Sequence, residues 1–145
     1  MNNACSEIEA VLLRYTGAIR DKDAEALMGC LTEDMTCFDL APPLMQNPAD
    51  THDHAGYRTW FETWDGSIEI ASSDLLVEAG DDVGWVSTLS HMTGRKTDGN
   101  DVDLWYRTTV CLRRTNDGWR IAHLHNSVPF AMDGSGRALL DLKPR

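Results

Sequence analysis

The chain is short of positive charge. Thirteen Lys and Arg stand against 23 Asp and Glu, for a formal net charge of −10. That balance argues against phosphate backbones and anionic lipid surfaces as partners, since both are held by clustered cations. No basic stretch is interleaved with aromatics, so nucleic-acid binding has no footprint. No apolar run approaches membrane-spanning length. The opening Met1-Asn2-Asn3-Ala4-Cys5-Ser6 has neither the basic segment nor the apolar block of a leader peptide. Four cysteines, Cys5, Cys30, Cys37 and Cys111, are scattered with no C-x-x-C. They read as reduced, mostly buried thiols of a cytoplasmic protein rather than as disulfides or metal ligands. A G-x-G-x-x-G after a strand, a P-loop and a G-x-S-x-G are all missing, which removes the local requirements for nucleotide binding and elbow-type serine hydrolysis.

What is present suits one domain over residues 1–145, with a core over about 6–130 and a tail over 131–145. Ser6-Glu7-Ile8-Glu9 has the form of a capping box. Ile8, Val11, Leu12, Tyr15 and Ile19 then follow helical spacing. Asp21-Lys22-Asp23 breaks that helix and caps a short second one carrying Leu27, Met28 and Leu31. Residues 35–40 read as a strand, and 41–53 as a loop punctuated by Pro42, Pro43 and Pro48. Asp53 can cap a third helix, on which Tyr57, Trp60, Phe61 and Trp64 share a face that serves either as core or as ligand wall.

Beyond Trp64 the pattern changes to four long segments at about 67–79, 83–96, 102–114 and 119–130. Asp- and Gly-rich turns join them, and turns this short demand antiparallel neighbours. Strands of this length must bend or bulge, and Gly94 is one candidate position. Helices first and a meander afterwards predict an α+β domain with helices on one face of a curved sheet, leaving a concave space for a small molecule. Leu139, Leu140 and Leu142 in the tail are expected to dock on the same or a neighbouring subunit.

The candidate chemistry centres on Tyr15, on the apolar stripe of the first helix, and Asp39, at the end of the first strand. A phenol and a carboxylate in one apolar cavity can move a proton and stabilise the oxyanion this creates. Trp105 and Arg107 share one face of their strand. Inward, they would supply a wall and a polar anchor; outward, Arg107 would form a surface or interface ion pair. His91 is either a cavity acid, base or donor, or a packed and satisfied histidine. His123 and His125 are expected on the convex face, opposite Ala122, Leu124 and Val128, with no metal and no cofactor implied. Cys37 lies beside the pocket, but spacing assigns it no histidine partner.

Two stretches carry a family resemblance. Leu13-Arg14-Tyr15-Thr16-Gly17-Ala18-Ile19, Asp23 and Met35-Thr36-Cys37-Phe38-Asp39 resemble the opening of bacterial ketosteroid isomerases. The ending Asp117-Gly118-Trp119-Arg120-Ile121-Ala122-His123-Leu124-His125-Asn126-Ser127 resembles SnoaL-like proteins and the association domain of calcium/calmodulin-dependent kinase II. All belong to the nuclear-transport-factor-2-like superfamily, which implies a cone of three helices packed on a strongly curved, mostly antiparallel sheet. The isomerase resemblance implies Tyr15 as oxyanion donor and Asp39 as proton-shuttling base. The second acid of that family has no counterpart, since Thr109 or Val110 takes its place. The kinase-domain resemblance implies an oligomeric hub, but Thr109 and Asn126 stand where its carboxylate-binding arginines would be. The expected protein is therefore a homodimer with a pocket for a small hydrophobic or carbonyl-containing molecule. Its residues would be Asp39 and Tyr15 for chemistry and Trp60, Trp64, His91, Trp105, Arg107 and Asn126 for binding. The competing expectation is a non-catalytic ligand-binding or oligomerisation module.

Overall fold

The computed structural model describes residues 3–145. Helix α1 spans Asn3–Arg20, α2 Ala24–Met28, α3 Pro48–Thr51 and α4 His54–Glu62. Strand β1 spans Leu31–Phe38, β2 Trp64–Ala79, β3 Val83–Lys96, β4 Asp101–Thr115 and β5 Gly118–Ser127. The helical stripe of α1 buries Ile8, Val11, Ala18 and Ile19 against the sheet. Ser6 lies within α1 rather than at its start, so the capping box expected there does not open the helix. A reciprocal box forms instead between Asn47 and Asp50, and it turns residues 48–51 of the expected loop into the single turn of α3. Asp23 caps α2 as expected, accepting from the Ala26 amide at 3.0 Å.

The sheet order is β1-β5-β4-β3-β2. The expected meander is present: β2, β3, β4 and β5 pair antiparallel in sequence order. β1 joins it beside β5 as the one parallel pair among the described residues. β1 starts ahead of the expected residue 35 and ends at Phe38, which leaves Asp39 just past the strand.

One bend falls at Gly94, as expected: Asp65 pairs with Arg95 and Glu69 with Thr93, so β2 shifts register against β3 across Gly94. Pairing of β3 with β4 runs through Gly94↔Val102 without a shift. The register shifts fall on the other side of β3, between Asp65 and Glu69 and between Ser73 and Leu76. Positive φ at Gly66 (84°) and Asp74 (55°) lies within those two stretches. Gly94 also serves a close approach: a Cβ there would stand 2.8 Å from Cζ3 of Trp64.

A second irregularity sits in β5. Leu112 pairs with Ile121 but Cys111 pairs with His123, so Ala122 is an extra residue. Strict alternation would place His123 and His125 on the same side as buried Trp119 and Ile121. The bulge reverses the phase, so Leu124 turns inward and the two histidines turn out. Their expected convex placement is thus reached through a bulge: Phe38 packs edge-on against both rings, and Thr36 Oγ1 lies 2.8 Å from His123 Nδ1.

The core fills the concave side, with Ile8, Val11, Leu27, Ile68, Val86, Val110, Leu112 and Ile121 all but sealed from solvent. The tail folds back through a Phe130↔Ala138 bridge, and the Leu139 amide donates to the Pro129 carbonyl at 2.9 Å. Leu139 is half-buried, whereas Leu140 and Leu142 stay exposed. No described helix is long and apolar enough to cross a membrane.

Candidate functional site

Between the helices and the concave sheet face lies a cavity of about 520 Å³. α1 contributes Leu12, Tyr15 and Ile19, and α4 contributes Tyr57 and Trp60. The sheet contributes Trp64, Ile70, Thr88, Ser90, Met92, Tyr106, Thr108, Val110, Leu124 and Asn126. Asp39, Leu40, Ala41, Pro43, Asp50 and Asp53 border it on the side open to solvent, where all six are exposed. The loop carrying Asp39 is closed by a pair of backbone bonds: Gln46 N donates to Cys37 O at 2.8 Å and Cys37 N to Gln46 O at 3.0 Å.

Five of the sequence-predicted site residues, Tyr15, Asp39, Trp60, Trp64 and Asn126, line this one space. His91, Trp105 and Arg107 do not. In β4 the buried residues are Tyr106, Thr108, Val110 and Leu112, so the odd-numbered positions face outward. Trp105 instead stacks on His91, with centroids 4.2 Å apart and planes within 6°. His91 Nε2 meets Asp103 Oδ1 at 2.5 Å, which holds the Asp103 carboxyl below its usual range. Arg107 Nε donates to Ser127 Oγ at 3.2 Å on the same outer face. Wall and anchor roles for these three residues are thereby corrected. The residues missed in their place are Tyr106, Thr108, Ser90 and Tyr57. The first two sit one step out of phase with Trp105 and Arg107, and Tyr57 already stood on the aromatic stripe of the third helix.

A hydrogen-bonded line crosses the strands to Asp39. Thr108 Oγ1 donates to Asn126 Oδ1 at 2.8 Å, and Asn126 Nδ2 donates to Asp39 Oδ1 at 3.2 Å. Thr108 has one proton and gives it to Asn126, so Ser90 Oγ, 2.7 Å away, is the donor of its pair with Thr108. The Leu40 amide adds a bond to the same Asp39 oxygen at 2.7 Å. Every donor in the line points toward the carboxylate, an arrangement in which each bond polarises the next.

The cavity's phenols are held neutral. Burial raises the Tyr15 hydroxyl well above its ordinary value, and Tyr57, Asp39, Cys37 and Tyr106 push further in the same direction. Burial likewise raises Tyr57, with Cys37, Asp39 and Asp53 adding to it, and raises Tyr106, with Asp39 adding to it. The Cys37 thiol is pushed up to about 12, by burial and then by Asp39, so it is a poor nucleophile at neutral pH. The Tyr57 hydroxyl is already committed to the Thr51 carbonyl at 2.8 Å and the Tyr106 hydroxyl is hydrogen-bonded to Ser90, which leaves Tyr15 as the phenol open to a ligand oxygen. Asp39 contributes to the shift of all three phenols. A proton taken up by Asp39 would therefore make each phenol a stronger hydrogen-bond donor at the moment an oxyanion forms. Among the described residues no group of three His, Cys, Asp or Glu side chains could hold a metal ion.

Residues 8–131 match the SnoaL-like domain. The chain belongs to the SnoaL-like family. Among solved structures, an NTF2-like protein of unknown function from Pseudomonas putida KT2440 is similar at 27% identity and a TM-score of 0.84, over 97% of this chain and 96% of that one. A ketosteroid isomerase-like protein from Erwinia carotovora atroseptica SCRI1043 is similar at 22% identity and a TM-score of 0.72, over 88% and 97% of the two chains. A candidate scytalone dehydratase from Novosphingobium aromaticivorans DSM 12444 is similar at 15% identity and a TM-score of 0.75, over 97% and 93%. These likenesses establish the cone fold that the SnoaL-like family shares with nuclear transport factor 2, and fold alone does not fix an activity. No curated protein matches the sequence.

Proposed function

We propose that this SnoaL-like protein binds a small organic carbonyl compound in its cavity and moves a proton at the carbon beside the carbonyl. The observation that carries this reading is a carboxylate and an unspent phenol, Tyr15, facing one largely apolar hollow. Asp39 is the base. It stands at the opening, and its Oδ1 is held by the Leu40 amide and Asn126. Tyr15 is the donor to the enolate oxygen, and Tyr106, hydrogen-bonded to Ser90, belongs to the polar line that leads to Asp39. Trp60 and Trp64, edge to face at 5.8 Å between centroids, form an aromatic wall. Removal of a proton beside a carbonyl is a first step open to an isomerisation or a dehydration, the two reaction types for which similar structures are named. A purely oligomeric role favours a filled interior, and a hollow of about 520 Å³ speaks against it.

We also infer a homodimer formed through the outer sheet face. Leu76, Val83 and Trp85 expose apolar surface there, with Trp85 paired across to exposed Cys111.

The test follows α-proton exchange of aryl ketones in deuterated water by NMR. The wild-type protein is expected to accelerate exchange. Asp39→Asn should abolish it with the melting temperature unchanged or raised, and Tyr15→Phe should slow it about 10²- to 10³-fold. Unfolding of Asp39→Asn would instead make the aspartate structural.

A further inference from the structure

The residues around the cavity are as informative for what they omit as for what they include. No Lys, Arg or His is among the described residues that line it. Two lysines beside the lining Trp64 are engaged elsewhere: Lys22 Nζ donates to the Trp64 carbonyl at 2.7 Å, and Lys96 lies over the Trp64 ring while donating to Thr63 Oγ1 at 2.7 Å. His91 and Arg107, the remaining candidates for an anchor, occupy the opposite sheet face.

The charges that do border the cavity are all negative. Asp39 takes its donors from neutral amides, and Asp50 Oδ2 accepts from the Asn47 amide at 2.9 Å. Asp53 occupies the first position before α4 but makes no side-chain capping bond. None of the three forms an ion pair among the described residues. Their fields reach the interior, since Asp39 contributes to the raised hydroxyls of Tyr15, Tyr57 and Tyr106 and Asp53 to that of Tyr57.

We propose that the cavity selects uncharged aromatic or polycyclic carbonyl compounds and rejects their carboxylate and phosphate counterparts. An anion moved from water into this space would lose its hydration, meet no cation and face bordering carboxylates. An uncharged ligand loses little on transfer and gains the rings of Tyr15, Tyr57, Trp60 and Tyr106. A volume of about 520 Å³, set against about 30 Å³ for each water in the liquid, leaves room for a fused two- or three-ring skeleton. This selection deepens the proposed function, because it rests on the same cavity being the ligand site.

The experiment compares two probes of nearly the same shape, 2-acetylnaphthalene and 2-naphthoate. Binding is read by quenching of tryptophan fluorescence and by calorimetry. The wild-type protein is expected to bind the ketone and to hold the naphthoate at least about tenfold more weakly. In an Asp39→Asn/Asp53→Asn variant that gap should close to about threefold or less. Equal or tighter binding of naphthoate by the wild type overturns the proposal. So does a gap unchanged in the variant, and so does failure of both probes to bind up to their solubility. The catalytic reading fails separately: a ketone that binds in the expected order but exchanges no methyl protons defeats proton transfer and leaves charge selection standing.

Discussion

Cys37 shows how one buried side chain ties the fold to pH. Its thiol is 5% exposed, faces the cavity and is raised from 9.0 to about 12. A group that keeps its proton more tightly when folded contributes its full stability below the unfolded value. That contribution drains away as pH climbs from about 9 toward 12. Each tenfold gain in proton affinity is worth about 1.4 kcal/mol, so the loss across that window is on the order of 4 kcal/mol. Tyr15, Tyr57 and Tyr106 act in the same direction from pH 10 upward. Urea titrations at stepped alkaline pH should show a falling midpoint. Cys37→Ala should lower stability at pH 8 through the small cavity it leaves, yet flatten the decline above pH 9. A decline equally steep in the variant would show that Cys37 is not its source.

At the scale of elements, the decisive feature is the extra residue at Ala122. Removing it would make Ile121 and His123 neighbours, as Leu112 and Cys111 are opposite them, and so keep His123 and His125 outward and Leu124 and Asn126 at the cavity while erasing the bend. Deletion of Ala122 should therefore leave the domain folded, at a cost of no more than about 3 kcal/mol in urea unfolding. Loss of the folded state would mean that the strand needs the bend itself and not only the phase. This bulge also marks the limit of what could be read from the chain. Tyr15 and Asp39 were legible because one lies on a helical stripe and the other follows a short β-branched and aromatic strand, and both patterns survive in the fold. The meander was legible from its turns. The direction each strand face takes was not, because period-two alternation is the same pattern whichever side is inward. Trp105 and Arg107 looked like wall and anchor on that ambiguous signal, while Tyr106 and Thr108, between and beside them, line the cavity. Only the partners across the sheet decide the matter. Burial of Val86 opposite Val110 and of Ser90 opposite Tyr106 fixes the inner face.

For the whole molecule, the two faces of the sheet divide the labour. The concave side holds the core and the cavity, and the convex side exposes Trp85 at 43%, Leu76 at 57% and Val83 at 64%. If a second copy covers that side, sedimentation should report twice the chain mass, and Trp85→Asp should give a folded monomer with the cavity's ligand affinity retained. A wild type that sediments as a monomer at micromolar concentration would remove the dimer from the proposed function.

The backbone clasp between Cys37 and Gln46 has a consequence for how such a protein can be changed. It pins both ends of the segment that brings Asp39, Leu40, Ala41 and Pro43 to the opening, while Leu44 and Met45 hang outside at 97% and 51% exposure. Residues 40–45 can therefore be exchanged like a faceplate, with the clasp, Asp39 and the cone left in place. Ligand range would then be retailored by grafting one short segment, with the inner walls of the cavity untouched.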